Sequence, residues 1–221
     1  MTAAATPSAV GATFPGPSNG AAEPETDGRR LRRDRNRTAV VDALLVLYRE
    51  GNLRPSSAEI AERAGLSPRS LFRYFDDVDD LCRAAVDRQL ELARPLLALD
   101  VTANAPLDER ITALASQRLR LFEAVAPAAT VLRLAAPFQP PLREQLAQSR
   151  ALLRSQVAHI LAPELAALDG GRRSLLAAVD VLCSFETHQL LRNEQRLSKE
   201  ETARVLVGAL RALLAAPVPT A

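Results

Sequence analysis

A short stretch around residues 68–75 carries polar side chains whose types and spacing suit the reading of nucleic acid. When a helix is started at Pro68 and turned by about 100° per residue, its residues separate into two faces. The polar face holds Arg69, Ser70, Arg73 and Tyr74, and the apolar face holds Leu71, Phe72 and Phe75. Guanidinium, hydroxyl and phenol groups can hydrogen-bond to base edges in a major groove. The alternative is an amphipathic helix with a solvated face.

The residues before this stretch predict the elements that position it. Apolar spacing indicates a first helix over residues 38–50, ended by Gly51. Ser56 and Glu59 form a capping-box pattern that opens a second helix. Gly65 ends that helix in a left-handed conformation, and Ser67 caps the third. The sequence therefore predicts a compact head of three short helices.

The segment from Thr38 to Leu81, above all SSAEIAERAGLSPRSLFRYFDDVDDL, resembles the TetR family of bacterial transcriptional regulators. The resemblance covers about a fifth of the chain and implies a helix-turn-helix that binds double-stranded DNA. It implies these contact residues: Ser57 at a phosphate, and Ser67, Pro68, Arg69, Ser70, Arg73 and Tyr74 on the recognition helix and its cap. Many members carry a lysine just after the Tyr-Phe pair, where this chain has four acids and Val78. We transfer no DNA contact to Val78.

The positive charge is concentrated before and within this head. Residues 29–75 hold eleven arginines against five acids, whereas residues 1–28 hold three acids and no base. Residues 1–28 have no apolar periodicity, so we expect them to be disordered. An arginine arm follows, which includes Arg32, Arg33, Arg35 and Arg37. The arm either contacts phosphates or a minor groove, or is a solvated tail.

The remainder of the chain shows helical periodicity and no strand signal, which predicts an all-α architecture of about nine helices. The predicted segments are 79–98, 107–125, 128–135, 140–162, 171–194 and 198–215. We divide the chain into a tail (1–28), an arm with a helix-turn-helix domain (29–78), and a helical ligand-sensing and dimerisation body (79–221). Segment 79–98 is expected to be the element that touches both head and body.

Two late segments carry a prediction about assembly. Residues 171–194 and 198–215 have apolar side chains on more than one face, and a helix of that kind needs partners on each face. Two such helices from each of two chains would form a four-helix bundle, which is the dimer interface that the family also uses. Burial within a single chain is the alternative. A homodimer would recognise a pseudo-palindromic operator.

A ligand pocket is implied by the resemblance rather than by a motif. The candidates for its lining are Arg118, Phe122, Phe138, Phe185 and His188, each of which could instead pack in the core. His159 and His188 have no partner at a metal-ligand spacing, so we expect no metal and no cofactor.

Several function classes find no support in the sequence. No apolar run reaches the ~18 residues of a membrane span, and the N-terminus lacks the pattern of a secretory signal. We therefore expect a soluble, cytoplasmic protein. The chain lacks phosphate-loop, nucleophile-elbow and zinc-protease motifs, so we expect no enzyme.

The resulting hypothesis is a dimeric regulator, a repressor released from its operator by a small-molecule inducer. The alternative is a DNA-binding regulator or architectural protein without a small-molecule ligand.

Overall fold

The computed structural model describes residues 24–168 and 170–215, and every regular element in these ranges is helical. The head contains α1 (Pro24–Arg49), α2 (Ser57–Arg63) and α3 (Pro68–Leu71). The body contains α4 (Val78–Ala93), α5 (Leu107–Ala135), α6 (Pro140–Ile160), α7 (Ala162–Ala166), α8 (Arg172–Leu182), α9 (Phe185–Gln189) and α10 (Lys199–Ala215). A 3₁₀ turn extends α4 over Arg94–Leu97, and a π turn follows α9 over Leu190–Glu194. The predicted all-α class is confirmed.

Helix α1 is the largest difference from the sequence-based expectation. It is a continuous helix that begins at Pro24, so the predicted arm is helical and residues 24–28 form its first turns. The expected disorder of residues 1–23 concerns a segment outside the described residues. Proline suits the first helical position, and the arginine-rich sequence that follows has good helix propensity. Apolar periodicity did not predict the N-terminal part of α1, because that pattern identifies buried helix faces. The described side chains from Arg30 to Arg35 are exposed.

Two body segments also differ from prediction. Residues 107–125 and 128–135 form a single helix, α5, with Pro127 inside it. An internal proline costs a helix about 3 kcal/mol, but burial of Ala128, Val131 and Leu132 favours continuation. The predicted segment 171–194 is instead interrupted after Leu182, and Ser184 caps α9 by accepting a hydrogen bond from the Thr187 amide at 3.1 Å.

Two apolar clusters organise the molecule. The head cluster joins α1, α2 and α3 to α4 and, through Ala128 and Val131, to α5. The body cluster joins α5, α6, α8 and α10 around residues such as Ile111, Val157 and Val179. Helix α5 therefore contributes to both clusters. The expectation that only segment 79–98 touches both head and body is wrong.

Candidate functional site

The helix-turn-helix is held in shape by caps and by one left-handed glycine. The Ser56 hydroxyl accepts from the Glu59 amide at 3.2 Å, and the Glu59 carboxylate accepts from the Ser56 amide at 2.7 Å. Gly65 has φ +68°, a conformation that disfavours a side chain. Ser67 accepts from the Ser70 amide at 3.2 Å and so caps α3. These bonds fix the angle between α2 and α3 without involving the exposed arginines.

The segment after the turn exposes the arginines that the sequence singled out. Leu71 and Phe75 are buried, while Arg69 and Arg73 are exposed and make no ion pair with any described residue. Regular α-helix ends at Leu71, and a turn carries the chain through Tyr74. Phe72, predicted on the apolar face, is 48% exposed because the helix does not continue as an ideal wheel.

Other polar groups of the head have internal partners. Arg63 on α2 forms an ion pair with Glu50 at 2.7 Å. The Asp77 carboxylate accepts from the Asp80 amide at 2.6 Å and so caps α4. Ser57 is half-buried at the start of α2. Arg69 and Arg73 are therefore distinguished from Arg63 by being free to bind an external group.

The helical extension of α1 directly contacts residues 68–75, the segment that the sequence predicts as the DNA recognition segment. Asn36 donates a hydrogen bond from Nδ2 to the Tyr74 hydroxyl at 2.9 Å, which leaves the Tyr74 proton available for an outside acceptor. The Arg37 guanidinium lies 4.8 Å from the centroid of the Phe75 ring. These contacts link residues 38 positions apart in sequence, so no local pattern signalled them. The exposed arginines nearer the N-terminus of the same helix are Arg32, Arg33 and Arg35.

A cavity of about 110 Å³ lies in the body between α4, α5 and α6, with Phe185 of α9 at one side. Its walls are mostly apolar, contributed by residues such as Val86, Leu121, Phe122, Leu132 and Leu153. The polar lining residues are Gln89, Arg133, Ser149 and Arg150. The cavity can therefore hold the apolar part of a small molecule while a polar part meets these side chains.

Three of the five predicted ligand residues pack together, and two of them, Phe122 and Phe185, line this cavity. The rings of Phe122 and Phe185 pack edge to face with centroids 5.6 Å apart, and His188 lies 5.6 Å from Phe122. Neither ring nitrogen of His188 has a hydrogen-bond partner among the described residues. Burial lowers the pKa of His188, which keeps the imidazole neutral near pH 7.

The other two predicted ligand residues lie outside the cavity lining. Phe138 is 84% exposed in the connection between α5 and α6. Arg118 is 1% exposed and lies one helical turn before Phe122. Its guanidinium donates to the side-chain oxygens of Gln117 and Gln156 and to the Leu153 carbonyl.

The cavity rim carries a charged group that sequence reasoning missed. The Arg133 Nε donates to a Glu186 carboxylate oxygen at 3.0 Å, and Arg150 donates to the same oxygen. Burial alone would raise the pKa of Glu186, but these two hydrogen bonds, together with a backbone hydrogen bond and the charge of Arg133, lower the pKa to about 2. The Arg133 guanidinium also lies 4.1 Å from the Phe185 ring centroid. The three charged residues come from different helices, so sequence spacing gave no signal.

Comparison with known proteins identifies the head. Residues 41–85 match the family model described as "Bacterial regulatory proteins, tetR family". The head is a TetR-family helix-turn-helix domain. The match spans the helix-turn-helix and the first part of α4, and it confirms the resemblance drawn from the sequence. No curated protein matches the chain.

Solved structures extend the likeness from the head to the body at the level of the fold. A regulator from Streptomyces coelicolor aligns with TM-score 0.64 and 20% identity, covering 81% of this chain and 80% of its own. A Rhodococcus sp. protein assigned to the family aligns with TM-score 0.61 and 21% identity, covering 82% of this chain and all of its own. The multidrug binding protein EbrR, complexed with imidazole, aligns with TM-score 0.54 and 24% identity over 83% and 96% of the two chains. At these identities the likeness shows a shared fold.

The described part of the chain contains neither a metal-ion site nor a membrane-spanning helix. Over residues 24–168 and 170–215, His, Cys, Asp and Glu side chains form no group of three suited to a metal ion. No helix within these ranges combines the length and the apolar character needed to cross a membrane.

Proposed function

We propose that this chain is a dimeric repressor of the TetR family. The dimer binds operator DNA through α3 and the turn after it. A small molecule in the body cavity releases the protein from the DNA. The observation that carries the DNA-binding part is the exposure of Arg69 and Arg73, which form no ion pair with a described residue, on a capped helix-turn-helix. Arginine in this position can bind guanine bidentately in the major groove. Ser57, Ser67 and Pro68 shape the approach to the phosphate backbone.

The contact role of Arg73 has a direct test. Arg73→Ala should weaken binding to operator duplexes selected from random sequence by about 1–3 kcal/mol per lost base contact, with relaxed preference at a few base pairs. Arg63→Ala removes the same charge from a residue already paired with Glu50, and should leave base preference intact. Footprinting and affinity measurement of both variants compare the two effects. Unchanged affinity and unchanged preference in Arg73→Ala would contradict the assignment.

The dimer proposal rests on the outer faces of α8 and α10. Several apolar residues of these two segments, including Leu175, Val179 and Leu210, are buried within the chain. However, Val181 is 64% exposed and Val205 is 44% exposed. Exposed Gly208 follows Val205 by one turn with open space around its Cα, which suits close approach by another helix. We propose that these faces pair across a two-fold axis, so that the operator is pseudo-palindromic.

The interface can be tested by adding a charge to it. Val205→Glu should shift the chain from dimer to monomer in sedimentation, because an unpaired carboxylate would be buried between the helices. Leu134→Glu is a matched control, since Leu134 is 59% exposed near the end of α5, beside head residues such as Leu44 and Tyr48. A dimer that is equally stable in both variants would exclude this face.

The ligand part of the proposal is supported by the cavity and by the likeness to EbrR, whose structure contains imidazole. We propose that the inducer is a small molecule, and that the protein uses no cofactor and catalyses no reaction. A bacterial DNA regulator of this kind would act in the cytoplasm. If no small molecule changes DNA affinity, the chain is instead a DNA-binding regulator without a ligand.

A further inference from the structure

The charged groups that line the body cavity are unbalanced toward positive. Arg133 and Arg150 line it, and none of its described lining residues is Asp or Glu. Glu186 bridges the two arginines from the side of α9, so the rim holds two cations and one carboxylate. The remaining lining is mostly apolar. A neutral or cationic ligand would leave this excess positive charge without a counter-charge.

The rim arginines also keep unused donors. Arg133 donates from Nε to Glu186 and from Nη1 to the Ala129 carbonyl at 3.1 Å, while its Nη2 has no partner among the described residues. Arg150 uses only Nη2 within the described chain, and its side chain is 54% exposed. A guanidinium with free N–H groups is suited to bind a carboxylate through paired hydrogen bonds.

A third arginine reinforces the same field from inside the body. The buried Arg118 donates only to neutral oxygens, and its Nε has no partner in the described part of the chain. One of these oxygens belongs to Leu153, which also lines the cavity. Burial lowers the pKa of Arg118 and the charge of Asp180 partly offsets this, but the Asp180 carboxylate accepts a hydrogen bond from Arg154 at 2.8 Å. A buried cation without a bonded carboxylate favours a negative charge nearby.

We infer that the cavity binds an amphipathic carboxylate, with its apolar body against Phe122 and Leu132 and its carboxylate on Arg133 and Arg150 in place of Glu186. This inference rests on the proposed function, because it assigns a chemical class to the proposed ligand. Release of Glu186 would also break the α5–α9 and α6–α9 ion pairs. The ligand carboxylate would thus replace Glu186 as the partner of the two rim arginines.

The first experiment measures binding of matched probes to the full chain by calorimetry and by the shift in melting temperature. The probes are hexanoate, octanoate and decanoate, each compared with the alcohol and the amine of the same chain length. The acids should bind about tenfold or more tightly than the alcohols, and the amines most weakly. Acids that bind no better than alcohols, or not at all, would overturn the inference.

Substitutions then locate the carboxylate. Arg133→Gln and Arg150→Gln should each weaken acid binding about tenfold while leaving alcohol binding similar. Arg154→Gln is the matched control, because Arg154 lies one turn after Arg150 on α6 but pairs with Asp180 outside the cavity lining. Since Arg150 is largely exposed, Arg150→Gln remains informative even if Arg133→Gln fails to fold.

Glu186→Gln tests whether the ligand takes the place of Glu186. Removal of the competing carboxylate should tighten acid binding, whereas weaker acid binding would contradict the exchange. DNA release is measured separately. Acids that bind as expected but leave operator affinity unchanged would disprove ligand release and keep the assigned ligand class. DNA release by a neutral or cationic molecule bound in this cavity, with no acid binding, would disprove the class and keep the proposed function.

Discussion

At the scale of single residues, His188 is a polar group placed where an apolar one would fit. Its ring packs against Phe122 and Phe185, and neither nitrogen has a hydrogen-bond partner among the described residues. A buried polar group left unsatisfied costs about 1–3 kcal/mol. We therefore expect His188→Leu to raise the free energy of unfolding by about 1 kcal/mol at pH 8, as measured by urea denaturation at fixed protein concentration.

The stability difference should grow as the pH falls, because the folded-state pKa of His188 is lowered by burial. Above the usual value of about 6.5, the imidazole is neutral in both folded and unfolded chains and proton binding adds nothing. As the pH falls through that value, the unfolded chain takes up a proton that the folded chain resists, so the wild type loses stability. His159→Gln on exposed His159 is the control. An identical pH dependence in wild type and His188→Leu would contradict this explanation.

At the scale of elements, the described helices divide into those that the sequence could reveal and those that packing decides. The helix-turn-helix was predictable because its signals are local: a capping box at Ser56, a glycine turn and a proline start. Helix α5 continues through Pro127 because Ala128 and Val131 are buried against the head. The stabilisation from this tertiary packing is not visible in the local sequence pattern. The rim pair Arg133 and Glu186 lies 53 positions apart in sequence and depends on the tertiary fold.

The α1 extension gives a prediction at this scale that distinguishes its two sides. Arg33 precedes Asn36 and Arg37 by three and four residues, so it lies on the face that contacts the recognition segment. Arg35 lies near the opposite face. Arg33→Gln should weaken binding to all DNA sequences alike and reduce the slope of log affinity against log salt by about 0.9 per lost phosphate contact.

Arg35→Gln, with the same loss of charge, is the matched control and should change the salt slope much less. Point variants suit this question better than deletion of residues 1–37, which would also remove the Asn36 contact with Tyr74 and the Arg37 contact with Phe75. Equal salt slopes in the wild type and both variants would indicate that the extension is a solvated part of the helix.

At the scale of the whole molecule, the cavity and the head share two helices. Helix α5 lines the cavity through Phe122 and Arg133, and its Ala128 and Val131 belong to the head cluster. Helix α4 lines the cavity through Val86 and supports the head through Leu81 and Ala85. A ligand that shifts either helix must therefore disturb the packing under the recognition segment. In a dimer, this would change the separation of the recognition helices from the about 34–36 Å that successive major grooves require.

Such coupling must be reciprocal. If a bound carboxylate weakens operator binding by a given factor, bound operator must weaken carboxylate binding by the same factor. Couplings of this kind typically amount to about 5–150-fold. Calorimetric titration with the tightest of the acid probes, in the presence and absence of saturating operator, measures the factor from one side, and DNA binding with and without that acid measures it from the other. A non-operator duplex of equal length controls for general electrostatic effects. If the acid binds equally well with and without operator, cavity and head are energetically independent despite sharing α4 and α5.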